Sequence, residues 1–384
     1  MTGAWGKSRW TNELLDSMRL VGDDVADQPV RAVLDSGGVE QVNALMATLV
    51  RVDQPIPDEL PEELKHYLNT TLELPGWADP QRIRRGQEVF ETWGAQICLC
   101  LFCASLPASY AAAKGVQVLD RTAQLELATN RKRRITETGL FLIDACYVGG
   151  LDVNGPGLRT IQKVRLMHAA VRQLIRGRAA ERPEVWDYAT LGQPINQEDL
   201  VGTRLVFAGA VIDSLPRIGI RLDDRDYEDY LHLWNVIGHL LGVDDRLLVT
   251  DVDDAIALAD LVRLRHYSAS DAGKRMTAAL LELLYEITPG DHVDRRIYPA
   301  LIRHFITDGI ADLLEVPRSS LVDDVGRLVR ILEWFLTRVL GRPDRLARLA
   351  RPASREMLKG MLLWQRGSRP PFAIPDRLAE KWNL

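Results

Sequence analysis

Cysteine is scarce in this sequence: there are four in 384 residues, and three of them, Cys98, Cys100 and Cys103, crowd one apolar segment. So few thiols make no disulfide framework, and a C-x-C-x-x-C spacing on a helix turns them in different directions, which argues against an iron–sulfur or zinc site. Buried, reduced thiols are expected instead, and these suit a cytoplasmic protein. An excess of positive charge is also missing. With 48 Lys+Arg against 53 Asp+Glu the net charge is -5, so no overall basic field recruits nucleic acid. No uninterrupted apolar run reaches the roughly eighteen residues of a membrane span. The nearest stretch, Ile97 to Ala113, is broken by Ser and Pro. The N-terminus shows no apolar export core, and there is no dinucleotide fingerprint, phosphate loop or nucleophile elbow. Alternation of period two long enough for a sheet is absent too.

What is present is helical periodicity, with 46% hydrophobic residues, enough for a sizeable core. The expected fold is all-α, a single large helical domain. Residues 1–75 form a peripheral helical cap and 76–384 the catalytic body. Helices are expected over Val30–Val52, then from Gln81 towards Leu106 until Pro107 interrupts. Further ones cover Leu119–Tyr147, Leu158–Gly177, Glu198–Leu215 capped by Asn196, and Asp223–Leu241 ended by Gly242. The last are Asp253–Ala269, Ala272–Thr288, Arg296–Leu314 and Ser320–Gly341, before a proline-rich tail over Gly367–Pro375.

The chemistry concentrates between Arg131 and Arg176, where two helical patterns meet at the glycine-rich turn from Val148 to Gly157. On the second arm Ile161, Val164, Val171 and Ile175 recur at the spacing of one helix face, and His168 falls among them. Lys163, Arg165, Arg172 and Arg176 edge that stripe. On the first arm Arg134, Glu137 and Thr138 lie within one turn of each other. Such a hairpin can wall a flat pocket, and haem is the flat ligand that fits: neutral imidazole on the iron, arginines near the propionates, a polar group over the open face. A histidine on an apolar face also serves often as a hydrogen-bonded core residue, and that reading stays open.

Rival sites are weaker. Glu63 with His66, and Asp229 with His232, make E-x-x-H and D-x-x-H pairs of the kind that hold two irons, but one pair sits in a proline-rich segment and the other substitutes aspartate. His232 and His239, seven apart, share a helix face without an arginine edge. His266, His292 and His304 are isolated.

The strings RRITETG (Arg133 to Gly139) and VRLMHAAVR (Val164 to Arg172) resemble the signature of the latex-clearing proteins, the rubber oxygenases and the related fungal oxygenase of mycophenolic acid biosynthesis. LFCASLPASYA and the C-terminal RPPFAIPDRLAEKW extend the likeness from about residue 70 to the end. The resemblance implies haem b in a globin-like helical core, with cleavage of isoprenoid double bonds by O2. It implies that His168 is the proximal iron ligand, that Arg134 and Thr138 stand on the distal side or near the haem edge, and that Arg165 lies near a propionate. Two positions depart from the family. Glu137 stands where some members have lysine, and the family's catalytic glutamate falls on Val118, with Asp120 and Glu126 the nearest acids. The expected partners are O2 and a hydrophobic small molecule. Haem-dependent hydroxylation or peroxide chemistry, and haem binding without catalysis, remain the alternatives, and the oligomeric state is open.

Overall fold

The computed structural model of the protein describes residues 9–319 except 125–127 and 288–293, together with 321, 352 and 356. For 123, 124, 128–136 and 287 it describes the backbone alone. The expected helix over Ser320–Gly341, the tail with Trp382, His292 and Glu126 lie outside the described residues.

The chain runs through α1 (Asn12–Arg19), α2 (Asp24–Ser36), α3 (Val39–Thr48), α4 (Glu62–Thr70), α5 (Pro80–Cys100), α6 (Leu106–Ala111), α7 (Val116–Gln124) and α8 (Ala128–Cys146). It continues through α9 (Gly157–Glu181), α10 (Tyr188–Leu191), α11 (Gln197–Gly209), α12 (Leu215–Arg217), α13 (Asp224–Leu240), α14 (Val252–His266), α15 (Asp271–Ile287) and α16 (Ile297–Leu313). Among the described residues the extended backbone pairs only in an isolated antiparallel bridge between Ala112 and Tyr267. The fold is all-α, as its periodicity requires.

Local signals explain most boundaries. Asn196 accepts from the Asp199 amide at 2.9 Å and so caps α11, and Gly242 (φ +85°) closes α13. The expected helix over Val30–Val52 is instead split into α2 and α3, because Gly37 adopts φ +69° and ends the first with a left-handed residue.

Pro107 also behaves differently from expectation. The helix does not stop there: it widens into a π turn over Leu101–Ser105, where the Leu106 amide donates to Leu101, and continues as α6. A proline lacks an amide hydrogen and its ring crowds the carbonyl four residues back; one extra residue in the turn relieves both. The same device recurs at Ala210–Ser214, two residues before Pro216. Ser105 of the first turn donates to the Val206 carbonyl of α11 at 2.6 Å and joins the two irregular helices.

The long helix Pro80–Ala111 is apolar and long enough to cross a membrane, but 56% of its most apolar window is buried inside the fold. It packs along α13 so closely that a Cβ on Gly86 would lie 2.6 Å from the Asp229 carbonyl oxygen. A second apolar cluster gathers Val30, Val42, Leu64 and Leu68 of α2–α4 onto Leu166, Ala169 and Ala170 of α9, so the N-terminal helices cover the outer side of the central hairpin.

Candidate active site

The α8–α9 hairpin owes its tight turn to glycines. A Cβ on Gly150 would sit 2.2 Å from the Asp144 carbonyl oxygen, and Gly149 needs φ +82°. Across the turn the Thr160 hydroxyl donates to Asp144 at 2.7 Å. Gln87 of α5 holds the tip by donating to Ala145 at 3.1 Å while accepting from the Gly149 amide at 3.2 Å.

On α9 the positions Arg165, His168, Arg172 and Arg176 form one stripe, and it faces α2. Arg165 grips Asp23 with two nitrogens, at 2.7 and 2.8 Å. Arg172, wholly buried, places Nε 2.8 Å from Asp27 and donates through Nη1 to the Ile195 carbonyl at 2.9 Å. Arg176 completes the clasp on Asp27 at 2.6 Å. Lys163, beside the stripe, reaches the Leu49 carbonyl. The cations that edge His168 are therefore matched by carboxylates of the N-terminal helices, and Asp23 and Asp27 are site residues that sequence reasoning missed. They lie 142 and 145 positions away in the chain, beyond any periodic signal.

Between these two ion pairs His168 has no such match. Its Nδ1 is buried with no hydrogen-bond partner among the described residues. Burial, reinforced by the Arg172 charge and opposed by Asp23, pulls its pKa down to about 4, so the imidazole is neutral at pH 7. One nitrogen of Arg172, Nη2, is likewise buried and unpartnered among the described residues. A neutral ring beside a spare cationic donor is what a metal-bound, carboxylate-bearing group would use.

On α8, Glu137 is buried and Thr138 exposed. The Arg134 side chain lies outside the described residues. Val118, at the place of the family's glutamate, packs in an apolar cluster with Ile175, Ala179 and Trp186. Asp120, one of the nearest acids, is held by Arg275 at 3.0 and 2.7 Å.

The rival histidines have other occupations. His232 accepts from the Asp79 amide at 3.0 Å through Nε2, and burial followed by Arg82 lowers its pKa to about 4. Asp229 of the same motif is clasped by Arg82 and Arg85. His239 lies 2.6 Å from Asp245, His304 bonds the Arg217 carbonyl, and His266 lies 2.8 Å from Glu198. The four cysteines are free, and burial pushes the thiols of Cys98 and Cys103 up to about 12 and those of Cys100 and Cys146 higher, so all stay protonated. Among the described residues no three His, Cys, Asp or Glu side chains are gathered as a metal site.

Residues 93–321 match the family described as ER-bound oxygenase mpaB/B'/rubber oxygenase, catalytic domain. The chain is 29% identical over 308 residues to the rubber oxygenase of Streptomyces sp. (strain K30), covering 79% of this chain and 72% of that protein. Its fold is similar to that of latex clearing protein in the closed state, with a TM-score of 0.72 and 25% identity, covering 87% of this chain and 90% of the other.

Proposed function

Because the chain belongs to the mpaB and rubber oxygenase family and is on that ground an oxygenase, we propose that it binds haem b through His168 and oxidises an apolar, unsaturated, isoprenoid-like small molecule with O2. The observation that carries this reading is the half-buried His168 ring, neutral, with its buried Nδ1 unpartnered among the described residues. Neutral imidazole is the ligating form.

The residues present fit the group. His168 would hold the iron, the spare Nη2 of Arg172 would meet a propionate, and the Asp23-bound Arg165 would add its field nearby. Haem b, when bound, supplies the activation of O2. By the family resemblance Arg134 and Thr138 would belong to the O2 side of the site, and the buried carboxyl of Glu137 would hold or return a proton there. The apolar faces of α5 and α8 would exclude water from the substrate.

A second reading keeps the cofactor and leaves the carbon skeleton whole. Val118 offers no base and Asp120 is bound to Arg275, which favours hydroxylation over double-bond cleavage. Four free thiols suit a reducing compartment, so the substrate we favour is a diffusible molecule met in the cytoplasm. The Streptomyces relative is named for rubber.

The deciding measurement is the absorbance spectrum of protein expressed with haem supplied, beside His168→Ala. A Soret band lost in the variant, with circular dichroism unchanged, is expected; a wild type without haem, or a variant that keeps it, overturns the reading. Product analysis then separates the chemistries, because cleavage gives two carbonyl fragments and hydroxylation one intact skeleton.

A further inference from the structure

Away from His168, the two π turns and a third helix irregularity meet at one cavity of about 190 Å³. Its walls come from the helix around Ala104 and Ser105, from α11 and the turn after it, from α14 and from α16. The third irregularity is Thr307 inside α16, at φ 71° and ψ 155°. A β-branched residue at positive φ is strained, and such strain clusters at ligand clamps and functional sites. π turns within α-helices have the same association.

The half-open recess is left unfilled where filling it would be easy. Gly209, in the last turn of α11, lines the cavity, and a Cβ there would meet nothing within 4 Å. A methyl group would favour the helix and occupy the space, yet the chain carries neither benefit. Strain, a helical glycine and a half-open recess thus coincide at one place.

The lining states what fits. Leu205, Val262, Phe305 and Ile310 give apolar walls, while Arg217, Arg263, Tyr267 and Asp213 stand at the polar edge. Arg217 is paired with Asp213 at 3.3 Å and Arg263 with Asp260 at 2.8 Å, so each cation is neutralised within its own helix. The edge is rich in hydrogen-bond donors and has little net charge to match an ion. Enclosed apolar cavities near 150 Å³ take a benzene-sized molecule, so this half-open recess of about 190 Å³ has room for slightly more, with its polar end towards solvent.

We infer that this cavity is a binding site for a small uncharged apolar molecule carrying one carbonyl or hydroxyl oxygen, seated between the π turns with its oxygen at the Tyr267 and Arg217 edge. His168, Glu137 and Thr138 do not line it, and the inference is independent of the haem reading.

The test is calorimetric binding of 6-methylhept-5-en-2-one to the full chain, beside its hydrocarbon counterpart 2-methylhept-2-ene, without any turnover. Saturable binding of the ketone, tighter than the hydrocarbon, is expected. Tyr267→Phe should lower ketone affinity several-fold and leave the hydrocarbon unchanged. Gly209→Leu should weaken both by roughly tenfold or more, the scale set by a few methylenes in an apolar pocket. Should Gly209→Leu fail to fold by circular dichroism, Gly209→Ala decides, with weaker binding and a raised melting temperature expected. No ketone binding in the wild type, no preference over the hydrocarbon, or undiminished binding in the Gly209 variants overturns the proposal.

Discussion

Two histidines, His266 buried and His168 half-buried, sit in two networks of arginine and aspartate or glutamate, and among the described residues only His266 of the two has a carboxylate at ion-pair distance. His266 of α14 lies 2.8 Å from Glu198, which also takes Arg265 at 2.7 Å and Arg19 at 3.2 Å, and Arg265 goes on to Asp16. His168 of α9 lies between Arg165 and Arg172, but the carboxylates there, Asp23 and Asp27, are taken by the arginines. The first network ties α1, α11 and α14 together and leaves its histidine a structural partner. The second ties α9 to α2 and leaves its histidine neutral. Each ring has a buried, unpartnered Nδ1 among the described residues, so it is the carboxylate beside the imidazole that distinguishes a fastener from a candidate ligand, where sequence alone sees two histidines on helices.

The comparison can be broken most severely at Asp27. Asp27→Ala strips the wholly buried Arg172 of its carboxylate, and the expected loss is about 3–5 kcal/mol, read as a fall in the urea midpoint; a loss under about 1 kcal/mol would mean the α2–α9 clasp does not hold the fold.

Glu198 comes next, with a pH signature. Burial alone would raise its pKa, but hydrogen bonds from His266 and Arg265 outweigh burial and bring it down to about 2. A depressed carboxyl contributes stability that is complete above its unfolded pKa near 4.5 and is lost as pH falls towards 2. Glu198→Gln should therefore cost about 3 kcal/mol at pH 7 and flatten the acid limb of the stability curve between those values. An acid limb identical to wild type would remove Glu198 from that role.

The two histidines then give the sharpest contrast. His266→Leu deprives Glu198 of a partner, and a cost of about 1.5–3 kcal/mol is expected by thermal unfolding. His168→Leu replaces a ring whose Nδ1 is orphaned with an apolar side chain of similar bulk. In cofactor-free protein it should change stability by less than about 1 kcal/mol, or raise it. Equal losses in the two variants would make His168 a structural histidine like the other.

What could be read from the chain follows the range of the forces involved. Periodicity located α9 and its stripe, and short-range caps located Asn196 and Gly242, because these signals span a few residues. Arg165 and Arg172 stand out in the sequence, but their partners do not: Asp23 and Asp27 come from a segment whose own pattern says only that it is a surface helix. Pro107 reads as a breaker since proline removes one bond of the ladder, and a π turn that restores the ladder is decided by packing against α11, which no local window contains. Gly37 does carry its boundary locally, and the split between α2 and α3 was legible there.

The pairing of each π turn with a proline two residues on has a further consequence. An inserted residue in a helix is in principle mobile, able to migrate a turn in either direction as successive amides exchange acceptors. Pro107 and Pro216 have no amide to exchange, so each insertion is pinned at one address. Neither proline lines the cavity between the turns. Its shape is thus encoded at a distance, in two residues that a bound molecule would never touch, and an alteration to either would let the cavity wander along its helix while every wall residue stayed the same.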